Sequence, residues 1–194
     1  LSALPDAIAT VKDWARRRGW PERIVGAVVA DKSAWRLAPT PAAIANTVKD
    51  DEARRYLLEV TRGSWRLMVP QRSAHGEVIA YRRRRPGKAA ASARGPKSLS
   101  TPSKLAPWTA GVTSMFGVLA EAVEAAARGE RIYIVEGEPD WLAARAVVRL
   151  AGLGGVVLGS PGSDAIVKIA HALRDQLAAR GITIEVWAPK DKPK

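Results

Sequence analysis

The sequence predicts an α/β fold, a parallel sheet flanked by helices, preceded by a basic α+β subdomain. Two observations carry this expectation. From Trp108 onward, short apolar strand patterns alternate with helical ones, and strands separated by helices of that length pair in parallel. Between Arg62 and Lys104 the pattern turns β-like and very basic. Division at residue 106 gives a basic part at 1–106 and an α/β part at 107–194.

In the first part, Ala7, Ile8, Val11, Trp14 and Ala15 recur at helical spacing, and the helix they imply ends in Arg16-Arg17-Arg18-Gly19. Pro39 and Pro41 mark a turn, after which Ala43 to Leu58 reads as one helix. Trp65 to Val69 and Glu77 to Tyr81 read as strands joined by a turn at Ser73-Ala74-His75-Gly76. Small residues from Ala89 to Gly95 read as a loop.

In the second part, the spacing predicts helices at Val118–Arg128, Trp141–Leu150 and Ala165–Arg180. Strands are expected at Arg131–Val135, Gly155–Leu158 and Ile182–Trp187, the first apolar enough to be central.

Of 194 residues, 31 are Lys or Arg and 19 Asp or Glu, a net charge of +12. The stretch from Arg62 to Lys104 holds eleven basic residues against Glu77 alone, so ten of the twelve net charges lie there. Such an excess points to a polyanionic partner, nucleic acid before anionic membrane. No apolar run is long enough to span a bilayer. Absence of cysteine excludes a disulfide framework and a Cys-ligated zinc site within these residues. The chain opens on Leu without a signal-peptide pattern, which reads as a cytoplasmic protein and as a fragment of a longer one.

The most specific chemical feature is Glu136, Glu138 and Asp140 directly after a buried strand. Ligands of open α/β sheets sit outside the carboxyl ends of the strands. Gly137 and Pro139 are expected to force a tight exit and gather the carboxylates there. Hard oxygen donors so grouped suit Mg²⁺ or Mn²⁺, which keep several waters and take phosphate oxygens. The plain alternative is a decorated strand-to-helix turn in which Asp140 caps the helix beginning at Trp141.

Ile134-Val135-Glu136-Gly137-Glu138-Pro139-Asp140-Trp141-Leu142-Ala143-Ala144 resembles the first motif of Toprim domains. By that resemblance Glu136 is a proton donor or acceptor that helps organise metal, Asp140 is a metal ligand, and Glu138 fills a commonly acidic variable position. Gly155 to Gly162 looks like the second Toprim strand and its turn. Trp65 to Arg72 followed by Gly76 to Arg83 resembles the subdomain that precedes Toprim in bacterial-type primases. Lys97-Ser98-Leu99-Ser100-Thr101-Pro102, the block Met115-Phe116-Gly117-Val118 and the helix ending Arg18-Gly19 are similar to further segments of that family.

The resemblance implies a phage- or plasmid-like DNA primase core. It would join ribonucleoside triphosphates into short RNA primers on a single-stranded DNA template, with Mg²⁺ or Mn²⁺ and a replicative helicase as partners. Arg66, Arg72, Arg82, Arg83, Lys97 and Lys104 are the candidate template or triphosphate contacts, against the reading of a solvated basic surface. Four consecutive arginines on a strand cannot all point one way. Seven tryptophans are expected mostly in the core, with Trp65 or Trp108 able to stack on a base.

The pattern breaks at the second acidic motif, Asp-x-Asp, that a complete Toprim domain carries after its third strand. Asp191 can be its first Asp, but Pro193 stands where the second belongs, and Asp164 is an acid after the second strand instead. Either the motif is degenerate, another acid substitutes, or the site is completed beyond Lys194. A Toprim nuclease and a non-catalytic nucleic-acid-binding module with a degenerate site are the rival readings. A topoisomerase would need a nucleophilic tyrosine that Tyr56, Tyr81 and Tyr133 do not obviously supply.

Overall fold

The computed structural model describes residues 5–38, 40–61, 66–85, 98–101 and 107–183. It begins with helices α1 (Pro5–Arg16) and α2 (Glu22–Ala30), strand β1 (Arg36–Leu37), and helices α3 (Pro41–Thr47) and α4 (Asp51–Thr61). Strands β2 (Leu67–Arg72), β3 (Val78–Arg84) and β4 (Ser98–Ser100) follow. Then come α5 (Leu119–Ala127), β5 (Arg131–Glu136), α6 (Glu138–Leu150), β6 (Gly155–Ser160) and α7 (Ser163–Ala178). Strands β1 to β4 form an antiparallel sheet in that order, and β5 and β6 pair in parallel.

The parallel strands alternate as a two-faced sheet should. Tyr133, Val135 and Val157 face a core shared with Val11, Trp14, Val25 and Val28 of the first helices and with Trp141, Leu142 and Ala146 of α6. Ile132, Ile134, Val156 and Leu158 face a second core built from Leu119, Ala122 and Val123 of α5 and Ile169, Leu173 and Leu177 of α7. Helices therefore cover both faces, as a parallel pair requires. The first core also takes Leu67 and Val69 from β2, so it draws on residues from both sides of position 106.

The segment Met115–Phe116 joins the two sheets through backbone. Arg72 and Met115 exchange hydrogen bonds of 2.7 and 2.9 Å, and Phe116 and Gly159 do the same at 2.7 and 2.9 Å. Phe116 and Trp141 lie over Gly159, where an added Cβ would meet each of them at 2.8 Å. Only a glycine lets the strand pass that close beneath two aromatic rings. The indole Nε1–H of Trp141 donates to the Val157 carbonyl at 2.9 Å, which satisfies its polar edge inside the core.

Several expected elements differ: the strands expected at Trp65–Val69 and Glu77–Tyr81 run over Leu67–Arg72 and Val78–Arg84. The single helix expected from Ala43 to Leu58 is two, because Asp50 starts a new one: its carboxylate accepts from the Ala53 N–H at 2.6 Å. Asp50-Asp51-Glu52 is the acidic start that a helix N-terminus favours. The helix expected to begin at Trp141 begins three residues earlier, at Glu138, so Asp140 lies in its first turn and Gly137, with φ of 81°, is the cap. The expected third strand runs into residues outside the described set. Among the described residues, no helix is long and apolar enough to cross a membrane.

A polar contact ties α6 to the end of α2. Arg145 donates to Asp31 from Nε at 3.1 Å and from Nη2 at 2.9 Å, while the Ser33 hydroxyl donates to the same carboxylate at 2.5 Å. Burial pushes the Asp31 carboxyl up, but the Ser33 hydroxyl and the Arg145 and Arg149 charges outweigh it and hold the group below the usual carboxylate range. A lowered folded value means that this contribution is fully present above the unfolded carboxylate range and is lost as pH falls through the folded value. Asp31→Asn should cost about 2 kcal/mol in denaturant unfolding at pH 7. The difference from wild type should shrink as the pH drops below about 4.

Candidate functional site

Glu136 ends β5 beside Ser160 of β6, at the carboxyl edge of the parallel pair. The chain leaves that edge through Gly137, whose N–H donates to the Ser160 carbonyl at 2.7 Å and whose left-handed φ suits glycine. Pro139 then occupies the first turn of α6, where its missing N–H is no loss. Asp164 holds the corresponding place in the first turn of α7, after β6. Glu136, Asp140 and Asp164 are exposed.

Glu138 behaves differently. It is 2% exposed, and Arg84 Nε donates to its Oε1. Arg82 Nε lies 3.8 Å from Oε2, close enough for attraction but not for a hydrogen bond. Arg82 also donates from Nη1 to the Ser100 hydroxyl at 2.7 Å. Arg82 and Arg84 share a strand face because they are two residues apart. The expectation that Glu138 gathers with Glu136 and Asp140 is therefore replaced by a different arrangement: Glu138 turns to the arginines of β3.

Arg83, on the opposite face of β3, is buried, and its Nη2 donates to the Ser100 carbonyl at 2.8 Å, fastening β4. Arg66 Nε donates to the Ala38 carbonyl at 2.8 Å, and Arg72 Nη1 donates to the Gly76 carbonyl at 2.7 Å. These three guanidiniums hold backbone, and of the described cationic candidates Arg82 alone reaches the acidic helix start. Arg84 was missed by the sequence reading, although the period-two alternation that separates it from Arg83 was visible there. Asp191, Lys97, Lys104 and Trp65 lie outside the described residues. Trp108 is 58% exposed and donates from Nε1 to the Ile79 carbonyl at 3.0 Å, so its ring face is available while its polar edge is fixed.

Arg18, just beyond α1, is a second residue that the sequence reading missed. Its guanidinium lies 5.5 Å from the Trp14 ring centroid and 5.8 Å from that of Trp20. Burial lowers its pKa and the Arg84 charge adds to this, while the Asp140 and Glu138 charges oppose them. Arg18 and Arg84 thus share the electrostatic surroundings of the α6 start.

With Glu138 ion-paired, Glu136 and Asp140 are the carboxylates left open at this edge, with Asp164 on the neighbouring helix. Their hard oxygens fit a divalent cation that keeps most of its waters, as Mg²⁺ does. Among the described residues, no three acidic or imidazole side chains converge as a closed metal cage.

No family model matches the chain, and neither does any curated protein. Among solved structures, it aligns with the zinc-binding and RNA polymerase domains of Aquifex aeolicus primase at a TM-score of 0.50 and 19% identity, covering 88% of this chain and 41% of that one. The chain shares the fold of part of that structure. The RNA polymerase domain of Mycobacterium tuberculosis primase DnaG aligns at a TM-score of 0.49 and 20% identity, covering 88% of this chain and 55% of that one. A DnaG primase catalytic domain bound to ssDNA aligns at 0.49 and 19% identity, over 87% of this chain and 52% of that one. At such identities the likeness is one of fold, and the chain spans about half or less of each of these structures.

Glu138 is buried and ion-paired while Glu136 and Asp140 are exposed, so a metal titration distinguishes them. Titrating Mn²⁺ by electron paramagnetic resonance should show about tenfold or greater loss of affinity in Asp140→Asn and in Glu136→Gln, on the scale of a lost ligand or its direct support. Glu138→Gln should stay within a few-fold of wild type.

Proposed function

We propose that this chain is part of a DNA primase catalytic core that joins ribonucleotides on a single-stranded DNA template. The observation that carries the proposal is that Glu138, between the exposed carboxylates Glu136 and Asp140 at the carboxyl edge of a parallel pair, is paired with Arg84 and lies near Arg82 of β3. Primer synthesis needs both halves: donors for the phosphates of template and nucleotide, and carboxylates for a divalent cation. A Toprim-type site is the reading that best joins this geometry to the motif at 134–144.

In this reading Glu136 and Asp140 would hold Mg²⁺ or Mn²⁺, which when bound would supply charge neutralisation for phosphate. Glu136, at the strand end, would also exchange a proton with the attacking hydroxyl. Arg82 lies beside the edge with part of its guanidinium fixed on Ser100, and it supplies donors to a phosphate oxygen. Arg84 is held by Glu138, so that a second positive charge stays near the site. The positive first turns of α6 and α7 open toward the same edge and favour phosphate. We read 107–194 as the Toprim part and 1–106 as the nucleic-acid-binding part. A replicative helicase remains the partner that this activity implies.

The test is a labelled-ribonucleotide primer assay on single-stranded DNA with Mg²⁺ or Mn²⁺. The wild-type chain should make short RNA products, and Glu136→Gln should slow their synthesis about a hundredfold or more, the scale of a lost proton-transfer group. Neither protein making primers, while both bind the template equally, would reject the catalytic reading and leave a nucleic-acid-binding module. Cleavage of the template instead would identify a nuclease.

A further inference from the structure

We infer that the cleft between the start of α2 and the end of α6 receives an amphipathic helix of an acidic protein partner. Trp20, Arg23 and Ile24 form one wall, and Ala143, Val147 and Leu150 form the other, around a volume of about 440 Å³. Trp20 and Ile24 pack against the first core, so the floor of the cleft is fixed. The inner side of α6 is already satisfied, because Trp141, Leu142 and Ala146 are buried there. Yet Ala143, Val147 and Leu150 stand at i, i+4 and i+7, with Val147 45% and Leu150 40% exposed. The helix therefore carries a second apolar stripe beyond the one that faces the core.

Shape and charge together select the occupant. An apolar stripe beside a second helix is the geometry into which an amphipathic helix lays its apolar face. No acidic side chain lines the cleft among the described residues. Glu22, next to Arg23, is held by Arg16 through contacts of 2.6 and 3.0 Å, while Arg23 meets no carboxylate among the described residues. Asp140, the exposed carboxylate of α6, lies toward the opposite end of that helix from Leu150. A partner helix with carboxylates flanking its apolar face thus meets a cation at the wall and no opposing charge in the lining.

Two other occupants fit this cleft less well. Anionic membrane is bound by clusters of several basic residues, and here Arg23 is the one cation in the lining among the described residues. A second copy of the chain would bring a further +12 against the +12 already present. Position separates the cleft from the acidic edge as well. Leu150 ends the helix that Glu138 begins, about 18 Å away at the usual rise per residue. A partner held there leaves Glu136 and Asp140 uncovered, so the inference stands apart from the primase reading.

Fluorescence anisotropy with a labelled peptide of Leu, Ala and Glu tests this, with the leucines at i, i+3, i+4 and i+7 and a scrambled peptide of the same composition beside it. The patterned peptide should bind the wild-type chain about tenfold or more tighter than the scrambled one, since both carry the same charge. Val147→Asp should remove that preference, and Arg23→Glu should weaken the patterned peptide about fivefold or more. Both side chains are exposed, so the variants should fold, and circular dichroism checks that they do. Val167→Asp, which puts the same charge on an exposed valine of α7, should leave the preference intact. Equal affinity for the two peptides, or a preference that survives Val147→Asp, overturns the inference. Co-sedimentation with phosphatidylglycerol vesicles that Val147→Asp abolishes, without a peptide preference, overturns it in favour of a membrane. A dimer in sedimentation velocity that Val147→Asp dissociates overturns it in favour of a second copy.

Discussion

Glu138 places a carboxylate where almost no water reaches it, and the arrangement around it follows from that charge. An ionised carboxylate taken from water loses several kcal/mol of hydration, which must be met by opposite charge and hydrogen-bond donors nearby. Here Arg84 supplies the donor, Arg82 adds charge at 3.8 Å, and the first turn of α6 contributes its positive dipole end. The pair connects residues 54 apart in sequence, from the antiparallel sheet to the start of the helix after β5. It therefore fixes the basic face of β3 against the acidic edge of the parallel pair. Displacing Glu138 would leave Arg84 without its acceptor and Arg82 without its nearest opposite charge, and free β3 to move relative to Glu136 and Asp140.

Backbone and packing support the same juxtaposition from a second direction. Met115 and Phe116 bridge β2 to β6, and the Phe116–Trp141 pair closes over Gly159. Trp141 is buried directly beside Asp140, with Arg145 stacked on its ring at 4.9 Å while bound to Asp31. A chain of contacts thus runs from the end of α2 through α6 to the strand edge. The carboxylates sit at its exposed end, which is where a rigid support and access to solvent are both met.

Much of this was legible in the residues. The alternation of Ile132, Tyr133, Ile134 and Val135 between two cores, the helices on both faces and the β2–β3 hairpin all follow from periodicity and turn chemistry. The block at 115–118 was recognisable by resemblance, but its bridging role was not, since two residues with one partner on each side leave no periodic trace. Glu138 was the chief surprise. Its residue type and spacing match Glu136 and Asp140, and only the contact with β3, which closes a long loop in sequence, tells it apart. Arg18 was hidden for a related reason: in a run of three arginines, local sequence does not say which one meets a carboxylate and which meets two indoles. The break before Asp51, by contrast, was written in the sequence as an acidic helix start and was overlooked.

The dependence of the whole arrangement on Glu138 is most directly tested by a double-mutant cycle of Glu138→Gln and Arg84→Gln, read by denaturant unfolding at neutral pH. Strong coupling is expected, with the two single losses exceeding the double loss by about 1.5 kcal/mol or more, toward the upper part of the range for contacting partners. Losses that add to within about 0.5 kcal/mol would mean that the two side chains act independently. The buried ion pair would then not be what sets the basic strand against the acidic edge.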